Sequence, residues 1–311
     1  MERPIRPALA VGRRGFAPWL GLAAIAGLVV LASFLGIVAA QDAGTDAGKA
    51  GGGDASAVIY RTTRKDTSDL GPDKRAIRVL VHFSRTKFFV ENGVPRGFEH
   101  DLMKEFETFY NKGTKRGKVR IPVIFIPVRF DQLIPMLREG RGDVAAGLLT
   151  ITEARKKRVQ FTLPYIRNVA EVVIANASAP PINAVEDLAG RKVHVLRGSS
   201  FVERLHALNR RLWRSAKPRV KIVEMPSDTS TEDLLEMVNA GIFLYAIADD
   251  YMGKLWAEVL PNLRVLDVQL SEGNDIAWAV RRNNPRLLLA LNDFMLPRRT
   301  KKQRSKEKEP N

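Results

Sequence analysis

The most constraining feature of this chain is a short apolar run, residues 143–149, which lies between the glycines at positions 140 and 142 and a polar sequence after Leu149. Such a run is typical of a strand that is covered on both faces in an α/β domain. Domains of this class bind ligands at the C-terminal ends of their strands. The run therefore predicts an α/β fold, with a candidate site directly after Leu149.

Other apolar runs alternate with amphipathic segments on both sides of this strand. In a first series we predict strands at residues 77–82, 119–127 and 143–149, with helices at residues 99–110 and 131–139. In a second series we predict strands at residues 192–196, 220–224 and 244–248, with helices at residues 200–213, at residues 232–240 and after Asp249. A last helix is predicted at residues 287–296. Pro135 predicts either a kink in its helix or a later start of that helix.

Two longer stretches, residues 165–177 and 263–279, separate the two series. We predict that both cross between two lobes and form a two-stranded hinge. Lobe 1 would comprise about residues 77–167 and 270–296, and lobe 2 about residues 168–269. A chain of 311 residues with 45% hydrophobic content can build one such two-lobed domain and polar tails.

The residues after Leu149 have the chemistry of an anion site. Thr152 is suited to cap a helix that begins at Glu153, which leaves hydroxyl groups and free backbone N–H groups at the strand end. Arg155 falls in the first turn of this helix, where its guanidinium can bind a carboxylate through two parallel hydrogen bonds. The alternative is that residues 155–158 (RKKR) form a solvated basic surface.

Several motifs in this region follow one family pattern. They are Gly140 with Asp143, Thr150-Ile151-Thr152 with Arg155, Phe161-Thr162-Leu163-Pro164-Tyr165, and Gly97-Phe98-Glu99-His100-Asp101-Leu102. With these motifs the chain resembles the bacterial extracellular solute-binding proteins of family 3, which include the polar amino-acid binding proteins of ABC importers. The resemblance extends from about Ile77 to Met295. It implies the two-lobed periplasmic-binding-protein fold of type II.

Further motifs are similar to the binding-protein-like N-terminal domain of membrane-bound lytic murein transglycosylase F. They are Gly198-Ser199-Ser200 with Glu203, residues 232–238 (EDLLEMV), Ile247-Ala248-Asp249 and Ala277-Trp278-Ala279-Val280. That enzyme carries its catalytic glutamate in a lysozyme-like domain after the binding domain, and we expect no such domain after Met295. The resemblance therefore implies a stand-alone binding protein or a truncated gene product.

The family resemblance also implies a ligand site that is shared by both lobes. Arg155 and Thr150 take the ligand carboxylate from the first lobe, and Ser199 or Ser200 adds donors from a helix N-terminus of the second lobe. Asp249 matches the family carboxylate that pairs with an α-ammonium group. The alternative for Asp249, Ser199 and Ser200 is that they cap helices.

An apolar wall for the ligand is predicted near the first strand. Phe88 is the candidate, with Phe83 and Phe89 beside it, and the alternative is that these rings belong to the core. Leu148 stands where amino-acid binders of the family often have a polar residue, which leaves peptides and cell-wall fragments open as ligands.

We expect no enzyme, no metal and no cofactor. The four histidines show no metal-ligand spacing. Glu99 and Asp101 fit the start of a helix, where carboxylates complement the helix dipole, better than a general acid/base pair. A few relatives of this fold are dehydratases, but the sequence offers no convincing general acid for such a reaction.

The N-terminal sequence predicts export. Arg13 and Arg14 precede an apolar run at residues 16–40 that is suited to a signal peptide or to a transmembrane anchor. Positive residues before the run place the N-terminus in the cytoplasm and the domain in the periplasm, either free or tethered to the inner membrane. Residues 41–76 are predicted to be a flexible linker, and residues 297–311 a basic disordered tail.

The charge of the chain does not indicate a nucleic-acid partner. The formal net charge is +16, but the first fourteen and the last fifteen residues together carry half of it. The remaining excess is spread over a large domain, where it favours solubility. The absence of cysteine excludes disulfides, a thiol nucleophile and a lipoprotein anchor.

These observations predict an exported solute-binding protein. It would capture an amino acid, a peptide or a muropeptide-like ligand by hinge closure, for uptake through an ABC permease or for a membrane sensor. The alternative is a non-catalytic or truncated transglycosylase F-like protein that acts in cell-wall turnover.

Overall fold

The computed structural model describes residues 65–112 and 120–296. The described strands are β1 (Ile77–Val81), β2 (Phe89–Glu91), β3 (Val94–Arg96), β4 (Val123–Pro127), β5 (Val144–Thr150), β6 (Gln160–Phe161), β7 (Ile166–Asn176), β8 (Lys192–Val195), β9 (Lys221–Glu224), β10 (Tyr245–Asp249) and β11 (Leu263–Val280). The described α-helices are α1 (Phe98–Tyr110), α2 (Leu133–Arg138), α3 (Glu153–Lys156), α4 (Ser200–Arg214), α5 (Thr231–Asn239), α6 (Asp250–Ala257) and α7 (Pro285–Met295). The predicted strands and helices are therefore observed in the predicted order, whereas the short strands β2, β3 and β6 were not predicted.

Pro135 illustrates how one residue sets a helix start. The predicted helix at residues 131–139 is divided into a 3-10 turn at Phe130–Gln132 and the α-helix α2, which begins at Leu133. Proline is tolerated in the first turn of an α-helix, because the N–H group that it lacks would have no partner inside the helix. Of the two predicted outcomes, the later start is the one observed.

One large sheet runs through both lobes, with strand order β4-β1-β5-β11-β7-β10-β8-β9. In the first lobe β1 pairs in parallel with β4 and β5, and β5 pairs antiparallel with β11. In the second lobe β8 pairs in parallel with β9 and β10, and β10 pairs antiparallel with β7. Each lobe thus combines parallel strands with one strand of a long antiparallel pair.

The long pair, β7 and β11, joins the lobes. β11 pairs near Leu263 with the end of β7 in the second lobe and near Val280 with β5 in the first lobe. Several register shifts interrupt its pairing with β7 between Val265 and Ile276. These strands are the two-stranded hinge that the sequence predicted, and the predicted lobe boundaries at 167/168 and 269/270 fall within them.

Helices cover both faces of each half of the sheet. In the first lobe α1 and α7 pack on the face that carries Val79 and Val81, and α2 packs on the face that carries Leu80. In the second lobe α4 packs on the face that carries Val173, and α5 packs on the face that carries Ile174. This double covering explains why the central strands lack polar alternation.

Residues 65–76 correct the predicted linker, because this part of the chain packs on the first lobe. The Leu70 side chain is buried in the core, and the backbone N–H of Asp66 donates to the Gly140 carbonyl over 2.8 Å. Lys74 Nζ donates to Asp143 over 2.9 Å. This packing was not predicted, because the segment is polar and has few apolar residues.

The predicted terminal segments, residues 1–40 and 297–311, and the first part of the predicted linker lie outside the described residues. Among the residues that are described, no helix combines the length and the apolar character that crossing a membrane requires.

Candidate functional site

Arg155 lies at the junction of the two lobes. The Thr152 hydroxyl caps α3 by accepting from the Arg155 backbone N–H over 3.2 Å, as the sequence predicted. The Arg155 guanidinium is buried and donates to the Thr150 carbonyl over 2.7 Å and to the Gly198 carbonyl of the second lobe over 3.1 Å. The alternative of a solvated surface arginine is therefore wrong for Arg155.

Gly198 permits a close approach of the lobes at this point. Its φ angle of 75° lies in the left-handed region, and a Cβ atom there would come within 3.0 Å of the Asp131 backbone in the first lobe. A side chain at this position would be strained and would hold the lobes apart. The glycine thus allows its own carbonyl to reach Arg155.

A hydrogen-bond chain links the lobes beside Arg155. The Ser200 hydroxyl lies 3.2 Å from the Thr150 hydroxyl and donates to Glu171 over 2.6 Å. Glu171, on β7, is fully buried and also accepts from the Ser271 hydroxyl over 2.8 Å. Ser200 is therefore a contact between the lobes and not only a capping residue.

Two polar atoms near this chain are buried and have no hydrogen-bond partner among the described residues. They are the Ser199 hydroxyl and Oδ1 of Asp249. Both residues occupy N-cap positions, Ser199 before α4 and Asp249 before α6, but neither side chain makes a capping hydrogen bond. The capping alternative thus does not account for either side chain, and a buried polar group without a partner is costly.

The environment of Asp249 changes its acidity. Burial raises the pKa of the Asp249 carboxyl to about 7, and the Glu171 carboxylate on the neighbouring strand adds to this shift. The positive charge of Lys87 and the Tyr251 hydroxyl oppose it. Asp249 therefore carries a partial negative charge near neutral pH, and a cation beside it would favour the ionised form.

A second set of polar contacts joins the lobes through the loop after β1. The loop after β1 contacts the first turns of α5, where the Ser84 and Thr86 hydroxyls donate to Glu232. Lys87 Nζ donates to the Thr231 hydroxyl over 3.3 Å, and the exposed Arg85 pairs with Asp233 over 3.2 Å. These residues of the first lobe therefore contact the second lobe directly.

Glu99 organises the first-lobe side of the site. It is fully buried, and its carboxylate accepts from the Leu148 backbone N–H, the Tyr165 hydroxyl and Trp278 Nε1, each over 2.7 Å. Leu148 has a φ angle of 54°, which is unusual for a residue with a side chain. Glu99 thus holds the strand end that precedes Thr150, a role beyond the dipole contact that the sequence predicted.

The structure does not bring Phe88 into this cluster. Phe88 is buried in the first-lobe core, with its ring centroid 5.4 Å from that of Phe125 and 6.4 Å from that of His100. The core alternative therefore describes Phe88. The neighbouring Phe83 ring is half exposed and lies 5.6 Å from Phe88.

Sequence reasoning missed Glu171, Lys87 and Glu232, which are all buried in this junction. A signal existed for Glu171, because it is a charged residue inside the otherwise apolar β7. No group of three or more metal-ligating side chains occurs within residues 65–112 and 120–296. The buried histidines contact backbone carbonyls, His82 that of Val128 over 3.3 Å and His194 that of Tyr245 over 3.4 Å.

Comparison with known protein families shows to which family the chain belongs. Residues 77–307 match the bacterial extracellular solute-binding proteins, family 3. The chain belongs to this family. The match extends into residues 297–307, which the sequence predicted to be tail.

Among curated relatives, the chain is similar to membrane-bound lytic murein transglycosylases F. It is 28% identical to that of Desulfosudis oleivorans over 70% of this chain and 44% of the relative. It is 30% identical to that of Ectopseudomonas mendocina over 70% of this chain and 42% of the relative. The chain thus spans less than half of the length of these relatives.

Solved structures with this fold include arginine-binding proteins. An ancestral arginine-binding protein bound to glutamine has a TM-score of 0.59 and 23% identity, covering 72% of this chain and 91% of that protein. The arginine-bound form of truncated ArgBP from T. maritima has a TM-score of 0.59 and 23% identity, covering 73% of this chain and 98% of that protein. These likenesses establish the type II fold of the binding proteins.

Proposed function

We propose that the chain is an exported, periplasmic solute-binding protein that captures a small carboxylate-bearing ligand by closure of its two lobes. Arg155 binds the ligand carboxylate, and Asp249 binds an ammonium group of the ligand. Thr150, Ser199 and Ser200 add hydrogen bonds from both sides. The ligand is an amino acid, a peptide or a muropeptide-like molecule, which the protein delivers to an ABC permease or presents to a membrane sensor.

The observation that carries this proposal is the state of Arg155. Its side chain is 4% exposed, and no carboxylate lies within 4.0 Å of it among residues 65–112 and 120–296. The two carbonyl contacts use two of the five N–H groups of a guanidinium. The carboxylates of Glu203, Glu171 and Asp249 attract the Arg155 guanidinium without pairing with it directly, and a ligand carboxylate would supply acceptors in direct contact.

The arrangement of charges supports a zwitterion. Arg155 belongs to the first lobe, whereas Asp249 belongs to the second, and Asp249 Oδ1 is buried without a partner in the described part of the chain. A molecule that carries a carboxylate and an ammonium group contacts both only when the lobes meet. Its binding energy would therefore favour the closed state over an open one. The amino acids named for the structural neighbours have this chemistry.

The test is thermal unfolding of the purified full-length chain with amino acids, short peptides and muropeptides. A ligand present at about one hundred times its dissociation constant is expected to stabilise the fold by about 2.7 kcal/mol. Arg155→Ala and Asp249→Ala should each abolish this stabilisation. Arg158→Ala is the matched control, because Arg158 is exposed in the same basic run and should leave it unchanged.

The outcomes separate the proposed ligands. A response to a free amino acid supports uptake or sensing of amino acids, and a response to muropeptides alone supports a role in cell-wall metabolism. A response that survives in both the Arg155 and the Asp249 variants would refute the proposed site.

A second candidate function is a non-catalytic or regulatory role in cell-wall turnover. The curated relatives named above favour it, because their names are those of murein transglycosylases and the likeness to them covers 70% of this chain. A peptidoglycan digestion assay tests it directly. Release of muropeptides by the purified chain would indicate an enzyme, whereas muropeptide binding without release would support the regulatory role.

A further inference from the structure

Lys87 is a second buried cation at the lobe junction. Its side chain is 5% exposed, and its ammonium group donates to the Thr231 hydroxyl over 3.3 Å. It forms no direct ion pair in the described part of the chain, but its charge acts on Glu232, Glu99 and Asp249. An ammonium group has three donors, so two of them remain available.

Glu232, on α5 of the second lobe, is the matching anion. It is fully buried, and its Oε1 accepts from the hydroxyls of Ser84 and Thr86. Its Oε2 is buried and has no hydrogen-bond partner among residues 65–112 and 120–296. Burial opposes ionisation here, but Lys87 and the two hydroxyls outweigh it and lower the pKa of Glu232.

The charges of Lys87 and Glu232 act on Asp249 and Tyr251, respectively. Burial raises the pKa of Asp249, and the charge of Lys87 opposes this shift. Burial also raises the pKa of Tyr251, and Asp249, Glu99 and Glu232 all add to that shift. The Tyr251 hydroxyl lies 3.5 Å from Asp249, so the charges of Lys87 and Glu232 both act on the pair that forms the proposed ammonium site.

The chemistry of this pair limits what can bind between its members. A second ligand carboxylate would be attracted by Lys87 but repelled by the buried Glu232. A second ligand ammonium group would be attracted by Glu232 but repelled by Lys87. A neutral group that accepts from Lys87 and donates to Glu232 satisfies both without adding a buried charge.

We propose that Lys87 and Glu232 form a second ligand-binding pair, which binds a carboxamide or peptide amide of the ligand. This inference rests on the proposed function, because Arg155 and Asp249 would hold the zwitterionic head of the same molecule. It narrows the ligand class to amide-bearing amino acids and peptides.

The test is calorimetric binding of three ligands of matched length to the full-length chain: glutamine, glutamate and 2,5-diaminopentanoate. They share the zwitterionic head and differ in a terminal amide, carboxylate or ammonium group. The wild-type chain should bind glutamine about tenfold or more tightly than either charged ligand, as expected for one unsatisfied or repelled buried charge.

Two variants assign the selectivity to the pair. Glu232→Gln should reduce the discrimination against glutamate, and Lys87→Met should reduce the discrimination against 2,5-diaminopentanoate, each by about tenfold. Comparing ligands on one variant cancels any general change in lobe closure. Lys104→Met and Glu107→Gln are matched controls, because this Lys–Glu pair lies on α1 outside the junction.

The result that would overturn the inference is a wild-type preference for either charged ligand, or the same order of affinities in both variants. If Arg155→Ala abolishes binding while Lys87→Met and Glu232→Gln leave the selectivity intact, the proposed function stands and the amide site fails. If none of the three ligands binds, the amide site fails, and a plain amino acid such as alanine then tests the zwitterion site alone. Binding that is indifferent to Arg155→Ala overturns both.

Discussion

The two ends of β5 differ in whether a buried charge is directly paired with an opposite charge. Before its N-terminal end, Asp143 is fully buried and accepts from Lys74 over 2.9 Å, from Arg78 over 3.0 Å and from Arg281 over 2.9 Å. Beyond its C-terminal end, Arg155 is also buried but has no carboxylate within 4.0 Å in the described part of the chain. The charges at one end are paired directly, whereas Glu203, Glu171 and Asp249 act on Arg155 without forming an ion pair with it.

The difference separates a structural cluster from the proposed binding site. The Asp143 cluster ties residues 65–76, β1 and the residue after β11 together, and its pairs need nothing from outside the chain. At the other end, Ser199 Oγ, Asp249 Oδ1 and Glu232 Oε2 lack partners among the described residues. Buried polar groups are normally paired, so these atoms are the ones to which the proposed ligand would supply partners.

The largest expected effect on stability is at the N-terminal end of β5. Asp143→Asn would leave three buried cations without their shared carboxylate, and the free energy of unfolding should fall by about 3–5 kcal/mol. Denaturant unfolding of the full-length chain measures this loss. The control is Asp101→Asn, because the Asp101 side chain is 71% exposed. A loss no larger than that of the control would contradict the comparison between the two ends.

A smaller loss of stability is expected at Glu99, which supports the C-terminal end. Glu99→Gln keeps one acceptor oxygen but directs an NH2 group at donors that the carboxylate now accepts from, so the fold should lose about 1–3 kcal/mol. Tyr165→Phe removes only one of the three donors and should cost less. Denaturant unfolding of both variants measures the difference, and a larger loss for Tyr165→Phe would show that Glu99 is not the centre of this network.

The sequence predicted the elements of the fold well because their signals are local. The strand predicted at residues 244–248 is observed at Tyr245–Asp249, and the crossing predicted at residues 165–177 is observed at Ile166–Asn176. An apolar run of this kind predicts a buried strand from a few consecutive residues. The packing of residues 65–76 was missed because it depends on ion pairs with Asp143, which is remote in sequence.

The candidate site was predictable only in part for the same reason. Arg155 and Thr152 lie in one turn, so a local motif indicated their arrangement. Lys87 and Glu232 were not assigned to the site, because each is an ordinary charged residue in its own segment. Only the contact between the loop after β1 and α5 buries them together. Phe88 was assigned to the site because a sequence does not distinguish an aromatic wall from an aromatic core.

The two clusters also differ in acidity, because the pKa values of Asp143 and Asp249 are shifted in opposite directions. Burial raises the pKa of Asp143, but Arg78 and Lys74 outweigh burial and lower it below its model-compound value. Its contribution to stability is therefore present near neutral pH and is lost as the pH falls through the folded-state pKa.

The pKa of Asp249 is raised from 3.8 to about 7, so the folded chain holds a proton that the unfolded chain releases between these values. The contribution of Asp249 to stability therefore decreases as the pH rises from about 4 to about 7.

The same shift predicts a pH dependence of ligand binding. An ammonium group needs the ionised form of Asp249, so binding below about pH 7 must release a proton, and affinity for glutamine should fall by about tenfold for each pH unit below that value. Calorimetry at about pH 5.5 and about pH 7.5 measures the change. Asp249→Asn should bind more weakly, and its residual binding should not depend on pH in this range, because the site then has no proton to release. A wild-type affinity that is equal at both pH values would mean that Asp249 does not pair with the ligand cation, and that the unpaired charges at the C-terminal end of β5 have another partner.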